Sequence, residues 1–136
     1  MNVSERQLLV REFCRLMGFP TLDVPGKPVG TLADMFLHKL REEVNELCVA
    51  AGQGGDPMSF IKLVDALRDT EYLLYGIELL FGVQAASDDS FMEVHWSNMT
   101  KTCDHGVVIK PTNFCKPDIV KVLRRHFPKQ GLLFRS

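Results

Sequence analysis

Apolar residues along the chain recur mostly at helical spacing. Leu9, Phe13, Leu16 and Met17 share one helical face, and Gly18-Phe19-Pro20 stops the run. Ser4 followed by Gln7 reads as a capping box at the start of this first helix. Residues 20–30, PTLDVPGKPVG, hold three prolines and two glycines and read as an extended connection. Thr31 with Asp34 opens a second helix, whose stripe is Phe36, Leu40, Val44, Leu47 and Ala51 and whose stop is Gly52. Asp56 and Pro57 are placed as N-cap and first residue of a third helix that runs to Phe81, with Gly82 closing it. Its second half, YLLYGIELLF, is apolar nearly all round and predicts deep burial. Ser87 or Asp88 opens a fourth helix that ends near Lys101, and Pro117 opens a short last one, PDIVKVLRRHF. Between them Val107-Val108-Ile109 reads as a short strand or as loop. The expected fold is one all-α domain over residues 1–136, a bundle of four to five helices with an irregular or hairpin segment near 103–115.

Composition narrows the partners. With 46% apolar and 24% charged residues in 136, the chain reads as globular, with length for a real core. A net charge of −1 leaves no overall basic field for a nucleic acid backbone. No apolar run approaches the roughly 20 residues that cross a bilayer. The start, MNVSERQLLV, lacks the basic and apolar regions of a secretory signal. The four cysteines form no CxxC, and Cys14 and Cys48 fall on apolar helical faces, which suits a reduced, cytoplasmic protein. The spacing of Cys103, His105 and Cys115 matches no standard zinc site.

The candidate chemistry lies on the second and third helices. In LREEVNEL, Glu43 falls at the shoulder of the apolar stripe, Glu46 further round and Glu42 last, with Lys39 between Glu43 and Glu46. By itself this pattern describes a solvated face with a weak Lys39–Glu43 pair. The third helix changes that reading. Asp65, Asp69, Tyr72 and Gly76 form one stripe on an otherwise apolar helix, although aspartate and glycine are poor mid-helix residues. Local rules that fail together mark function. Buried carboxylates on facing helices repel one another, and a divalent cation compensates them; an all-oxygen shell suits Mg²⁺, with Mn²⁺ as the alternative. On the fourth helix Asn98 and Lys101 are candidates for phosphate or base contacts, and His95 reads as a packed or hydrogen-bonded histidine.

These residues resemble a known superfamily, the all-α nucleoside triphosphate pyrophosphohydrolases, which includes the MazG-like and phosphoribosyl-ATP pyrophosphohydrolase-like branches. EEVNEL fits its EExxE motif, DALRDTEYLLYGIELLFG its second acidic helix, and SNMTK a third motif, over about residues 6–119. The resemblance implies Mg²⁺-dependent cleavage of a nucleoside triphosphate to monophosphate and pyrophosphate. It implies Glu43, Glu46 and Asp69 as metal ligands, with Asp65 standing in for a fourth. Glu42 and Glu46 would be candidates to activate water. Lys39, Tyr72, Asn98 and Lys101 would meet the nucleotide, in a homodimer or homotetramer. The second motif is usually ExxD, whereas Ala66 stands three residues before Asp69 and the acid is Asp65. That departure motivates an alternative, a helical interaction or regulatory protein that keeps the fold without the chemistry. A third reading is a phosphoribosyl-ATP hydrolase of histidine synthesis.

Overall fold

The computed structural model describes Met1 and residues 3–134, and the fold is all-α. The chain forms two compact units, residues 1–84 and 85–136. The first unit holds α1 (Val3–Leu16), α2 (Leu32–Gly52) and α3 (Pro57–Phe81). α2 and α3 form a helical hairpin, and α1 packs on α3. As expected, Asp56 caps α3, its side chain accepting from the Ser59 amide at 2.9 Å, with Pro57 in the first turn.

The lines that the helices bury differ from their most apolar stripes. α2 buries Phe36, Glu43 and Ala50, at a spacing of seven, while Val44 and Ala51 are exposed. α3 buries the small residues Ser59, Ala66 and Gly76 together with Leu79 and Leu80. Small residues leave room on this line of α3, and at Gly76 the Phe36 ring fills it: a Cβ there would stand 2.6 Å from the ring. In α1 the buried pair is Val10 and Cys14, so Leu9, Phe13, Leu16 and Met17 lie on the exposed side of the expected face. Ser4 falls inside α1, and Gln7 donates to Glu78 of α3 at 3.1 Å instead of closing a capping box. Thr31 holds the N-cap position of α2 without a side-chain hydrogen bond.

The deep burial expected for the second half of α3 holds for Leu79 and Leu80 and fails for Leu74, which is 50% exposed. α1 has 14 residues and α3 has 25, so α1 is about 16 Å too short to cover α3. Near the start of α3, Phe60, Val64 and Leu67 stand exposed on one face.

Residues 20–30 strap the far end of α3. The Leu22 amide donates to the Leu79 carbonyl and the Gly26 amide to the Phe81 carbonyl, at 2.9 and 3.0 Å. These bonds satisfy carbonyls that a helix end leaves without partners. Gly82 ends α3 at φ 71°, a left-handed conformation, directly beneath the strap.

The second unit holds α4 (Ser87–Asn98), a two-stranded antiparallel hairpin, β1 (Thr102–Asp104) with β2 (Val107–Ile109), α5 (Ile119–His126) and a 3₁₀ segment over Pro128–Phe134. Its core is Ala86, Val122 and Phe127. Asp89 on α4 holds His126 on α5 at 2.6 Å, and that hydrogen bond is the main reason the Asp89 carboxyl titrates below its ordinary value. Ser97 is buried and donates to the Cys115 carbonyl at 2.7 Å, tying down the chain beyond the hairpin. α4 ends at Asn98, three residues before the expected Lys101. His95 is exposed beside the exposed Trp96, not packed as its sequence context suggested. All four cysteines are free, and Cys48 is exposed rather than part of an apolar face. Among the described residues no helix is long and apolar enough to cross a membrane.

A methyl group on Gly82 would lie 2.0 Å from the Val24 carbonyl oxygen, in a backbone conformation that disfavours side chains. Gly82→Ala is therefore expected to cost roughly 1–3 kcal/mol in urea unfolding. Gly54→Ala, where a Cβ meets nothing within 4 Å, is expected to change stability by less than about 0.5 kcal/mol.

Candidate active site

Glu43 is the centre of the site because α2 carries it in its buried line. It is 5% exposed. Oε1 pairs with Lys39 Nζ, one turn earlier, at 3.1 Å; Oε2 is buried and has no hydrogen-bond donor among the described residues. The sequence offered Lys39 as a weak partner of Glu43, four residues away. The structure supplies Lys39 for one of the two oxygens and leaves the other unmet. Lys39 also reaches Glu42 at 3.4 Å, and the bonds to Glu43 and then Glu42 raise its pKa.

The other acids lie at the surface: Glu46, Asp65 and Asp69 are exposed, so of the carboxylates expected to be buried only Glu43 is. Glu46 titrates above its ordinary value, chiefly through repulsion by Glu43, then through partial desolvation, with a smaller repulsion from Asp69. Asp69 on α3 is likewise raised, first by desolvation and then by Glu43 and Asp65. Glu43, Glu46 and Asp69 thus act on one another across the α2–α3 hairpin, while Asp65 acts on Asp69 along α3. Glu42 stands apart, on the outer face, where it takes His38 Nε2 at 3.1 Å besides Lys39.

A cavity of about 550 Å³ opens among α1, α2 and α3. Lys39, Glu43 and Asp69 form its charged side together with His38. Glu46 and Asp65 line a second cavity, of about 330 Å³, with Lys62. Tyr72 lines the larger cavity, with its ring 5.6 Å from Phe13 in an edge-to-face contact. Phe13, Phe19 and Phe36 line it as well, and sequence reading missed them. The available signal was that Phe13 lies off the Val10–Cys14 line of α1, which leaves it free to face a cavity. Asn98 and Lys101 belong to the second unit, where Lys101 Nζ donates to Asn98 Oδ1 at 2.8 Å.

Among the described residues no group of three or more His, Cys, Asp or Glu side chains is placed so that it could hold a metal ion as the structure stands. The donor set nevertheless fits a hard divalent cation. It offers carboxylate oxygens alone, one of them buried without a donor; Glu46 is pushed toward protonation chiefly by Glu43, and Asp69 chiefly by desolvation. Ala66, at the position where the motif usually has glutamate, is buried, so the fourth acid at hand is Asp65, one turn before Asp69.

An acidic helix hairpin in an all-α fold is the arrangement that the resemblance to the all-α pyrophosphohydrolases implies. The sequence profile of the phosphoribosyl-ATP pyrophosphohydrolase family matches residues 10–98, and the chain belongs to that family. It is thus a nucleotide pyrophosphohydrolase, a hydrolase acting on acid anhydrides. The match is shorter than the 6–119 suggested by the motifs: it ends at Asn98, so Lys101 and the hairpin lie beyond it. No curated protein matches the chain. Membership in a hydrolase family weighs against the purely regulatory reading that Ala66 had motivated.

The raised values of Glu46 and Asp69 carry a sign for stability. A carboxyl whose folded pKa exceeds its unfolded one stabilises the fold at acid pH, and that contribution is lost as pH rises through the folded value. Asp69→Asn removes one such group. The variant is expected to gain thermal stability relative to the metal-free wild type as pH rises from about 4 to 7, the range above ordinary carboxylate titration. Parallel melting curves check this; no pH-dependent difference would remove the electrostatic account.

Proposed function

We infer that the protein hydrolyses nucleoside triphosphates to monophosphate and pyrophosphate with Mg²⁺. The observation that carries this reading is the buried, half-satisfied Glu43 carboxylate beside the raised Glu46 and Asp69. Glu43, Glu46 and Asp69 would hold the cation, with Asp65 as the further acid. When bound, Mg²⁺ supplies charge neutralisation of the phosphates and polarises water. The chain's own residues do the rest. Glu46 would take the proton from the attacking water. Attack at phosphorus breaks the α–β anhydride, and the bridging oxygen leaves with pyrophosphate. Lys39 stands on the cavity wall to meet phosphate charge. Asn98 and Lys101 are carried as further nucleotide contacts on the strength of their motif alone.

A homodimer or homotetramer is supported by the face of α3 that α1 does not reach, where Phe60, Val64 and Leu67 are exposed. Exposed apolar patches of this kind mark association surfaces. The free cysteines and the absence of a membrane-crossing helix among the described residues support a cytoplasmic setting.

The direct test offers each common NTP and dNTP with Mg²⁺ and measures pyrophosphate. Glu46→Ala is expected to lower kcat/KM by about 10²-fold or more, and Asp69→Ala to abolish Mg²⁺ binding in calorimetry. Silence on every nucleotide, or full activity in Glu46→Ala, would sink the reading. Sedimentation equilibrium is expected to show a dimer or tetramer, and Val64→Asp to shift it toward monomer. A monomeric wild type would remove the oligomer.

A further inference from the structure

The 550 Å³ cavity has two unlike sides, and each is continuous. On one side the rings of Tyr72, Phe13, Phe19 and Phe36 form an unbroken string, each touching the next edge-to-face at 5.6, 6.3 and 5.7 Å between centroids. On the other, beside His38, Lys39 pairs with Glu43, and Glu43 in turn acts on Asp69. The volume lies within the range of about 300–1,000 Å³ typical of small-molecule sites. A planar apolar group joined to a polyanion matches this division, with the charged end directed at the carboxylate side through a cation and through Lys39.

We propose that the aromatic string is the seat of the nucleobase, and that Phe36, lodged against Gly76, sets how large a base it admits. This rests on the reading of the site as a nucleotide hydrolase. Tyr72 is the one side chain of the string that carries a hydrogen-bonding group, so the wall offers faces and edges for stacking and almost no means of reading a base edge. A pocket of this kind discriminates by size and shape. An apolar pocket separates close analogues by about 10–10² in kcat/KM, whereas a site built to hydrogen-bond a particular edge separates them by about 10⁴–10⁵. The enzyme is therefore a broad-specificity one toward base identity.

The size limit comes from one contact. Phe36 is almost fully buried, and Gly76 leaves no room for a Cβ, which would stand 2.6 Å from Cε1 of its ring. A methyl group at 76 forces the ring away from α3, and the open volume beside it is the cavity. Gly76→Ala thus shrinks the seat and penalises a purine more than a pyrimidine.

The test has two arms. Uncharged nucleosides, deoxyadenosine and deoxycytidine, are titrated by ligand-observed NMR without metal, so binding is read apart from phosphate chemistry. kcat/KM is then compared for purine and pyrimidine triphosphates. Phe13→Leu keeps apolar volume at a partly exposed position and is expected to weaken nucleoside binding roughly tenfold, the scale of one lost base–ring stack. Gly76→Ala is expected to lower the purine-to-pyrimidine ratio about tenfold. Circular dichroism confirms that each variant is folded; if Gly76→Ala is not, Phe13→Leu decides. Nucleoside binding unchanged in Phe13→Leu, or a wild type that separates bases by 10⁴ or more, overturns the proposal while leaving the hydrolase reading intact. Phe13-dependent nucleoside binding without turnover of any triphosphate supports the seat and removes the hydrolase reading.

Discussion

The packing of α2 on α3 is the constraint on which the site depends. The Phe36 ring of α2 fills the space that a side chain at position 76 of α3 would take, and so locks the two helices in register. The same buried line of α2, one heptad on, carries Glu43 into the hairpin. A buried carboxylate is costly unless it finds partners. Lys39 answers one of its oxygens and the other is left unmet, while the charge of Glu43 helps to raise Glu46 and Asp69. The packing of an aromatic ring on a glycine and the chemistry of the acids are thus two results of one helix–helix contact.

Helix length explains the rest of the first unit. α1 fastens on the second half of α3, through Arg6 to Glu71 at 2.6 Å and Gln7 to Glu78. It supplies Val10 and Cys14 to the core and Phe13 to the cavity. The first half of α3 lies beyond its reach, and there the apolar residues are exposed. A surface that water does not favour and a seat for an apolar group arise from the same short helix placed against a long one.

Much of this was legible in the sequence where a local rule was strong. Asp56-Pro57 and Gly82 bound α3 because capping and left-handed glycine are local chemistry. The acids were legible because aspartates and a glycine violate helix propensity together, and Gly76 proved to be a packing position against Phe36. The buried faces were less legible. In α1 the pattern pointed to Leu9, Phe13, Leu16 and Met17, while the core took Val10 and Cys14. Apolar periodicity records every apolar destination, including cavities and surfaces left open, and cannot by itself say which one is the core. Lys39 as the partner of Glu43 was visible at a spacing of four, but its weight was not, since burial decides whether such a pair is incidental.

That weight bears on how the site works. Any cation that takes up Glu43 must share the carboxylate with Lys39 or displace it. A lysine can yield, because its ammonium is a point charge on a flexible stem, whereas an arginine fork would be committed to a fixed geometry. Glu42 gives the displaced ammonium somewhere to go: it already stands 3.4 Å from Nζ on the outer face. The position of Glu42 outside the cluster therefore need not count against a role in the site. The EE pair of LREEVNEL divides into one buried residue, Glu43, and one exposed one, Glu42, and Lys39 pairs with both.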